Sequence, residues 1–528
     1  MNSPRILMTA AADAYAYPLL LRHLFANVAQ QTSAEIVSGQ RHLSYHDLLD
    51  RVTRLATLLS ERGVRAGDTV AVMDWDSHRY LECYFAIPMM GAVLQTVNVR
   101  LSPAQIEYTL RESGASFVLH HADFGPLFDE IRPNLPAIRD SIRMEEDARA
   151  DSYEALIAAT APSFQFEDFN ENAIATTFHT TGTTGNPKQV FFSHRQLVLH
   201  TLALATTLAN QPVGQGLRRG DVYMPMTPMF HVHAWGLPLV ATMLGLKQVY
   251  PGRYDPKRLL ALKQHERVSF SHCVPTILKM LLDARDDEQS LGPWTIVIGG
   301  SALPPSLADE AARAGLSTLV GFGMSETGPV VALARSPSDD AVELCRAGFP
   351  LPLVYARVDQ ERGSELLLRA PWLTQGYGCQ AASNELWEGG WLHTGDVAAM
   401  DDGDIRIVDR LKDVIKTGGE WVSSIAIEDL LMELPSVAEA AIIGVPDNKW
   451  GERPIAFVVA AAGGSAPSTE LLREGLMRHV DAGRLSRYAI PERLFVLDGL
   501  PRTSVGKVDK KALRARLVIG TEIEEAGA

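Results

Sequence analysis

The sequence predicts an α/β protein: a large N-terminal domain of layered α/β sheets with a β-rich subdomain, plus a small mobile α+β C-terminal domain. Three observations lead to this prediction. Apolar runs typical of buried strands alternate with segments of helical spacing through most of the chain. From about Pro352 short strands and turns replace that alternation. A compact unit of helices and strands then follows a charged segment at 409–413.

The large domain is predicted from alternating elements. Apolar residues within 44–62 recur at spacings of three and four, Gly63 ends this helix, and Thr69–Met73 is typical of a buried strand. Because helices join successive strands, we expect mostly parallel sheets with ligands at the carboxyl ends of their strands. The same pattern predicts strands at 222–226, 247–250, 268–273 and 294–298, and helices at 232–244, 255–266 and 275–283.

The small domain is predicted after a strand at 406–408 and the charged segment. We place the boundary there, with the large domain at 1–409 and the small one at 410–528. Within the small domain the pattern predicts helices at 424–434, 468–480 and 509–517, and strands at 440–445, 455–460 and 493–497.

Composition limits the class of protein. The length of 528 residues corresponds to roughly three to four domain-sized units. A formal net charge of −14 argues against nonspecific nucleic-acid binding. The four cysteines are widely spaced without a C-x-x-C pair, which favours reduced thiols in a cytoplasm. Charged residues interrupt the N-terminal apolar segment, and no run reaches the ~18 apolar residues of a membrane helix. We expect a soluble cytoplasmic protein.

A glycine- and threonine-rich stretch within Thr176–Ser193 is the strongest local signal. Glycines allow backbone amides to approach an anion closely, and hydroxyls and a lysine donate hydrogen bonds to phosphate oxygens. The Walker A order is absent. The alternative is a surface loop rich in threonine and glycine. The sequence predicts a phosphate-binding loop formed by Thr180, Thr181, Gly182, Thr183, Thr184, Gly185 and Lys188.

Other turns carry groups suited to a nucleotide. GFGMSET at 321–327 follows an apolar strand and combines an aromatic ring, a hydroxyl and a carboxylate, and oxygen ligands suit Mg²⁺. WLHTGD ends in Asp396, an acidic residue placed to hold ribose, and Arg410 offers a second contact. Lys507 is expected on an exposed turn before the last helix. Structural turns and a solvated lysine are the alternatives.

His231 and His233 form a His-x-His pattern that is compatible with a metal site. No third ligand lies at a useful spacing, so a pocket wall formed by His231 and Trp235 is the favoured interpretation.

Five motifs in order connect these turns. TTGTTGNPK, GFGMSET, WLHTGD, VDRLKDVIKTGGEW and PRTSVGKVDKKALR all occur, and the chain resembles the adenylate-forming superfamily of acyl-CoA synthetases, luciferases and peptide-synthetase adenylation domains. The resemblance covers nearly the whole chain. Stretches such as GDVYMPMTPMFHVHAWG look most like medium-chain fatty-acid–CoA ligases.

The resemblance implies ATP, Mg²⁺ and CoA as reactants and cofactor, and a role for each matching residue. The Thr/Gly loop would hold the β- and γ-phosphates, Ser325 the α-phosphate, Glu326 the Mg²⁺, and Lys507 the meeting point of the acid and the α-phosphate. Lys412 would be the hinge about which the small domain swings. The adenine and ribose would contact Gly300, Ser301, Gly321, Phe322, Gly323, Asp396 and Arg410. A hydrophobic acyl group would lie among His231, Trp235, Gly299, Ala302 and Met324. A transfer-step face would consist of Lys416, Gly418, Gly419 and Trp421.

The chain also departs from the usual pattern. Gln189 replaces a glycine and His179 a tyrosine, and the loop at 359–364 is short; Phe349 and Ala370 are further departures. None removes a residue of the adenylation step. They leave the acceptor open between the CoA thiol and the amine of an amino acid, as in coronafacic acid ligases. A noncatalytic nucleotide-binding module is disfavoured because Glu326 and Lys507 are present, and nothing specifically supports a luciferase-like oxygenase. A homodimer is expected from the family alone.

Overall fold

The computed structural model describes residues 9–25, 28–145, 149–180, 186–286, 290–334, 346–461, 468–503 and 507–519. The strands in chain order are β1 Glu35–Ser38, β2 Arg41–Ser44, β3 Thr69–Met73, β4 Val93–Thr96, β5 Ala115–His121, β6 Asp140–Met144, β7 Ile174–Thr180, β8 Lys188–Ser193, β9 Val222–Pro225, β10 Lys247–Tyr250, β11 Phe270–Cys273, β12 Trp294–Ile298, β13 Leu316–Gly323, β14 Val330–Leu333, β15 Phe349–Pro350, β16 Tyr355–Asp359, β17 Glu365–Arg369, β18 Trp387–Glu388, β19 Trp391–Asp401, β20 Asp404–Arg410, β21 Ile415–Thr417, β22 Glu420–Val422, β23 Val437–Asp447, β24 Gly451–Ala460 and β25 Arg493–Val496.

The α-helices alternate with these strands. They are α1 Leu21–Phe25, α2 Val28–Gln31, α3 Tyr45–Glu61, α4 His78–Met89, α5 Pro103–Glu112, α6 Gly125–Ile131, α7 Tyr153–Ala159, α8 His194–Ala209, α9 Leu237–Leu244, α10 Pro256–His265, α11 Pro275–Ala284, α12 Pro305–Arg313, α13 Gln380–Leu386, α14 Ser424–Met432, α15 Thr469–Asp481 and α16 Lys510–Ile519. Among the helices of the described ranges, none is long and apolar enough to cross a membrane.

Two mostly parallel sheets form the large domain. The six-stranded sheet has the order β6-β5-β3-β4-β7-β8, and the nine-stranded sheet has the order β15-β14-β13-β12-β11-β9-β10-β1-β2. Strands β11 and β12 are buried along their whole length, as expected for parallel strands covered by helices on both faces. The predicted α/β layering is confirmed, and the predicted strands shift only at their ends.

Antiparallel sheets follow in the chain. Strands β16–β20 form a five-stranded antiparallel sheet, which is the predicted β-rich subdomain. Strands β21–β25 form the sheet of the small domain, and α14 packs against β23. The structure therefore confirms a large α/β domain and a smaller β-containing C-terminal domain.

The helix predicted at 232–244 is wrong in its first turn. Helix α9 begins at Leu237, and the preceding residues from Val232 to Trp235 have φ values between 47° and 61°, in the left-handed region. Each such residue costs about 1–2 kcal/mol, so apolar periodicity does not reveal this conformation. Gly236, with φ 76°, and Pro238 in the first turn of the helix define where α9 begins. The turn places Trp235 against the end of β12.

Candidate active site

Two residues of the predicted phosphate loop, Thr180 and Lys188, belong to strands β7 and β8. Thr180 and Lys188 pair across the hairpin at the ends of the two strands. The remaining predicted loop residues lie outside the described residues: Thr181, Gly182, Thr183, Thr184 and Gly185. Ser193 caps α8 immediately after β8, so the hairpin is fixed at its base by a helix.

The two unusual residues of this stretch pair across the hairpin, one position before the Thr180–Lys188 pair. His179 lies opposite Gln189, and its Nε2 is 3.1 Å from Oε2 of Glu112 on α5. Burial lowers the pKa of His179 to about 4, so the ring is neutral near pH 7. The backbone carbonyl of Gln189 accepts a hydrogen bond from the amide of Gly378. These contacts join the hairpin to two other segments.

Glu326 lies in a short turn directly after β13. Its Oε1 accepts a hydrogen bond of 2.5 Å from the hydroxyl of Tyr377. Lys188 Nζ lies 4.8 Å from the centroid of the same tyrosine ring. Tyr377 thus connects the phosphate loop to the carboxylate predicted to hold Mg²⁺. The sequence analysis missed it, although an aromatic residue between Gly376 and Gly378 is the signal that singled out Phe322.

Asp396 and Arg410 meet because β19 pairs with β20. Their register places the two residues opposite each other, and Arg410 Nε is 2.9 Å from Asp396 Oδ1. The other carboxylate oxygen, Oδ2, is buried and has no hydrogen-bond partner in the described part of the chain. Burial raises the pKa of Asp396 to about 6, although Arg410 and Lys507 oppose the shift. An unpaired buried acceptor suits a ligand hydroxyl donor.

Lys507 is half-buried, and the expectation of an exposed turn is wrong. The backbone N–H of Lys507 donates a hydrogen bond to the hydroxyl of Thr503. The backbone N–H of Thr503 donates in turn to the carbonyl of Lys507. Burial lowers the pKa of Lys507 to about 8, and Arg410 lowers it further, while Asp396 and Glu326 raise it. The sequence pattern did not reveal this burial because the surrounding groups are distant from Lys507 in the chain.

The side chain of Lys507 reaches the turn after β12. A methyl group placed on Gly300 would lie 3.6 Å from Lys507 Cε and 3.1 Å from a methyl carbon of Val274. At Gly299 such a group would be 3.1 Å from the indole of Trp235 and closer still to the carbonyl of Gly321. Glycine at both positions therefore brings the backbone close to the lysine and the indole.

His231 completes this side of the site. Burial, followed by the charges of Lys507 and Arg100, lowers the pKa of His231 to about 3, so the imidazole is neutral. Trp235 lies 5.1 Å from the ring of His272. The predicted acyl-pocket residues His231, Trp235 and Gly299 thus lie next to the lysine. Met324 is part of the same turn as Glu326, whereas Ala302 and Ser301 are exposed.

Phe322 and Gly323 lie at the end of β13, where the register with β14 shifts. Phe322 is half-buried and packs against the core of the large domain, and Ser325 begins the turn that carries Glu326. This arrangement leaves part of the Phe322 side chain accessible beside Gly321. It is compatible with the predicted stacking on adenine.

The predicted transfer-step face is not at Lys507 in this structure. Lys416, Gly418, Gly419 and Trp421 form an exposed hairpin of β21 and β22, which contacts Tyr488 at Gly418 and Gly363 at Trp421. Lys412 is also exposed. The structure therefore presents Lys507, and not this hairpin, to Asp396 and Glu326.

The donor set around Glu326 suits a magnesium ion bound together with phosphates. The described residues contain no cluster of three or more His, Cys, Asp or Glu side chains that would hold a metal by themselves. Mg²⁺ prefers oxygen ligands and is commonly bound by one or two carboxylates plus substrate phosphates. Glu326, with the adjacent Ser325 hydroxyl, fits that pattern. His231 and His233 belong to no such cluster.

Comparison with known proteins identifies the family. The AMP-binding enzyme model matches residues 24–378, and the AMP-binding enzyme C-terminal domain model matches residues 426–507. The chain belongs to the AMP-binding enzyme family. It is an AMP-forming acid ligase of the adenylate-forming superfamily.

Relatives of this ligase are named CoA ligases. It is 38% identical over 510 residues to a long-chain-fatty-acid–CoA ligase of Thermus thermophilus, covering 92% of each chain. It is 32% identical to a medium-chain-fatty-acid–CoA ligase of Ectopseudomonas oleovorans, covering 93% of this chain and 92% of the relative. At the family level, ATP-dependent ligation of an acid to CoA is supported.

Solved structures share the fold of the ligase. An anthranilate CoA ligase in complex with anthranoyl-AMP superposes with a TM-score of 0.85 at 23% identity, covering 96% of this chain and 99% of that one. An amide bond synthetase from Marinactinospora thermotolerans superposes with a TM-score of 0.80 at 23% identity, covering 94% and 99%. At these identities the similarity establishes the fold alone, and the fold serves both kinds of acceptor.

The pKa of Lys507 predicts an alkaline limit for acyl-adenylate formation. The ammonium form is present below the pKa of about 8 and is lost above it. We expect kcat/KM for ATP–pyrophosphate exchange to be level below pH 8 and to fall about tenfold per pH unit above it. The Lys507→Arg variant keeps its charge across this range. Its activity should be lower than that of the wild type but should not show the fall above pH 8. The same fall above pH 8 in Lys507→Arg would contradict the assignment of this pH dependence to Lys507.

The hydrogen bond between Tyr377 and Glu326 predicts a second effect. Tyr377→Phe removes the hydroxyl but keeps the ring beside Lys188. We expect kcat/KM for ATP–pyrophosphate exchange to fall about tenfold, because a hydrogen bond to a charged group contributes about 1.5–3 kcal/mol. Tyr377→Leu should fall further because it also removes the ring. Equal activity of wild type and Tyr377→Phe would show that the bond does not position Glu326.

Proposed function

We propose that this ligase activates a hydrophobic carboxylic acid as an acyl-adenylate and then transfers the acyl group to the thiol of CoA. The observation that carries the first step is the position of Lys507. Its ammonium lies beside Gly300 and His231, within the influence of Glu326, Asp396 and Arg410. A cation at that point stabilises two anions as they approach each other.

In the proposed first step a carboxylate oxygen of the acid attacks the α-phosphorus of ATP. A new P–O bond forms, the bond to the bridging oxygen of the β-phosphate breaks, and pyrophosphate leaves with those electrons. Lys507 stabilises the charge on the acid carboxylate and the α-phosphate together, and Ser325 donates to the α-phosphate. Positioning and electrostatic stabilisation account for most catalysis in such transfers.

The other predicted residues bind the nucleotide in this proposal. Asp396 accepts a hydrogen bond from a ribose hydroxyl through Oδ2, the buried oxygen without a partner in the described residues, and Arg410 holds the carboxylate in place. Thr180 and Lys188, with the loop between them, bind the β- and γ-phosphates. Magnesium, when bound, neutralises phosphate charge, and Glu326 would be its protein ligand.

The acyl group in this proposal lies against apolar and aromatic side chains. Trp235 covers Gly299, and Val274 lies at Gly300, so the groups next to the acid's carbonyl are hydrophobic. The neutral ring of His231 adds no charge to this wall. A hydrophobic acid follows from burial of its surface in such surroundings. Its length and shape are the quantities that a substrate panel measures.

The second step needs a different domain orientation in this proposal. With the large domain at 1–409 and the small domain at 410–528, rotation about Lys412 would withdraw Lys507 and bring the Lys416–Trp421 hairpin to the acyl-adenylate. The CoA thiolate would then attack the acyl carbon, forming the thioester while the bond to AMP breaks. Such rotations occur on timescales compatible with turnover.

A cavity in the small domain favours CoA over an amine as the acceptor. Its volume is about 420 Å³, and its lining includes Trp450, Tyr488, Arg473 and Arg487. The cavity adjoins the Lys416–Trp421 hairpin, because Gly418 donates its N–H to the carbonyl of Trp450 and lies against the Tyr488 ring. Aromatic faces and guanidinium groups suit an adenine base and phosphates. The amine of an amino acid requires no such cavity.

The acceptor test uses the full-length protein, ATP, Mg²⁺ and a panel of hydrophobic acids, with either CoA or mixed amino acids, and identifies products by mass. We expect thioester and no amide. The Arg473→Ala/Arg487→Ala variant should raise the KM for CoA about tenfold with little change in the KM for ATP, because two phosphate contacts are removed. Arg484→Ala, an exposed arginine outside the cavity lining, is the matched control. Amide without thioester would establish the alternative acceptor.

The separation of the two steps is tested with Lys507→Ala. We expect this variant to lose ATP–pyrophosphate exchange by about 100-fold or more, since it removes the charge at the reacting phosphate. Acyl transfer from supplied acyl-AMP should remain close to that of the wild type. An equal loss in both half-reactions would contradict the assignment of Lys507 to the first step alone.

We also propose a cytoplasmic location, consistent with the free thiols of Cys83, Cys273 and Cys379. A homodimer stays a prediction from the family.

A further inference from the structure

One contact between the domains involves the tip of the Trp421 side chain. The far edge of its six-membered ring lies against Gly363, in the short loop between β16 and β17 of the large domain. A methyl group on Gly363 would overlap ring atoms Cη2 and Cζ3. Trp421 therefore packs against bare backbone, and the contact requires glycine on the other side.

Both partners of this contact are held in place locally. Lys416 Nζ lies 4.8 Å from the centroid of the Trp421 ring across the β21–β22 hairpin. Gly363 has φ 72° and follows a turn of 3₁₀-helix, and its N–H donates to the carbonyl of Gln360. The next residue, Ser364, also has a positive φ. The loop thus presents the α-carbon of Gly363 in a defined position.

A second set of contacts ties the same hairpin to residues before the hinge. The carboxylate of Asp409 accepts hydrogen bonds from the backbone N–H and the hydroxyl of Ser424, which follows β22. The hydroxyl of Ser423 donates to the carbonyl of Val408. The hairpin is therefore held near the hinge by Ser423 and Ser424 and farther from it by Trp421.

Another interdomain contact lies beside the catalytic lysine. Arg502 donates from Nη1 to the hydroxyl of Thr276 on α11, and from Nη2 to Glu439 of the small domain. The contacts of Arg502 and Trp421 are formed in the orientation that places Lys507 in the large domain. A rotation that brings the Lys416–Trp421 hairpin to the acyl-adenylate must separate Trp421 from Gly363.

We propose that Trp421 and Gly363 form a latch that holds the small domain in the orientation required for acyl-adenylate formation. Trp421 is then a positioning residue for the first half-reaction, which acts through the placement of Lys507. Trp421 also belongs to the Lys416–Trp421 hairpin that would move to the acyl-adenylate. One movement of the small domain would therefore separate Trp421 from Gly363 and bring this hairpin to the acyl-adenylate. The inference rests on the domain rotation of the proposed function, but its test needs no acceptor.

The test compares adenylation in variants of the full-length protein by ATP–pyrophosphate exchange. In Gly363→Ala the added methyl group displaces the indole, and we expect exchange to fall about fivefold as the competent orientation becomes less populated. Transfer from supplied acyl-AMP should be unchanged or faster. In the double variant Gly363→Ala/Trp421→Phe the shorter side chain no longer collides with the added methyl group. We expect the exchange rate of this double variant to equal that of Trp421→Phe alone.

Gly483→Ala is the matched control. Gly483 has φ 70°, close to that of Gly363, but a methyl group there meets no atom within 4 Å. The control therefore carries the same backbone strain without the collision. We expect exchange in Gly483→Ala to match the wild type, and thermal melting to show similar losses of stability in the two glycine variants.

Three outcomes would overturn the latch. They are an equal loss of exchange in Gly363→Ala and Gly483→Ala, a loss in Gly363→Ala that Trp421→Phe fails to restore, and an equal loss in both half-reactions. If Gly363→Ala does not fold, the exchange rate of the Trp421→Phe variant tests the proposal. This variant should lower exchange about twofold, because it loses the contact at the edge of the ring. An exchange rate equal to that of the wild type would overturn the proposal. Absence of exchange in the wild type with every acid would instead contradict the proposed function.

Discussion

The arrangement of the active site depends on the partial burial of the Lys507 ammonium among charged side chains. Burial and then the charge of Arg410 lower the pKa of this group, Asp396 and Glu326 oppose that shift, and the resulting pKa is about 8. The lysine is therefore mostly charged at neutral pH, and no ion pair holds it among the residues that the structure describes. A cation in such surroundings can interact strongly with incoming anions, because less solvent screens it.

Most of the groups that act on Lys507 are placed by the large domain, and Arg410 is the first residue of the small domain in the proposed division. Glu326 follows β13, and Gly300 lies in the turn after β12. Asp396 and Arg410 face each other on β19 and β20. The catalytic arrangement is therefore complete only when the small domain inserts its lysine. This separation makes the first half-reaction sensitive to the domain orientation, and it gives contacts far from the chemistry, such as that of Trp421 with Gly363, an influence on it.

Two groups of departures from the family pattern are placed by their contacts in the structure. His179 and Gln189 face each other next to the Thr180–Lys188 pair of the hairpin, and the contact with Glu112 ties His179 to α5. The short loop at 359–364 presents Gly363 to Trp421. These positions affect how the loop and the small domain are held, while the groups proposed to contact ATP are retained. We therefore propose that these departures bear on how the loop and the small domain are positioned and not on the adenylation chemistry.

The sequence by itself determined the layered α/β fold, the identity of the family and the set of residues proposed to contact ATP. Local spacing and residue chemistry are sufficient for these, since strands, helices and glycine turns are encoded over short stretches. Only the tertiary structure decided the left-handed turn before Leu237, the hydrogen bond of Tyr377 to Glu326 and the burial of Lys507. The first is strained backbone that apolar periodicity does not signal, and the other two join segments distant in the chain. Burial and charge at Lys507 come from side chains about a hundred residues or more away in the chain, so no local pattern around it contains that information.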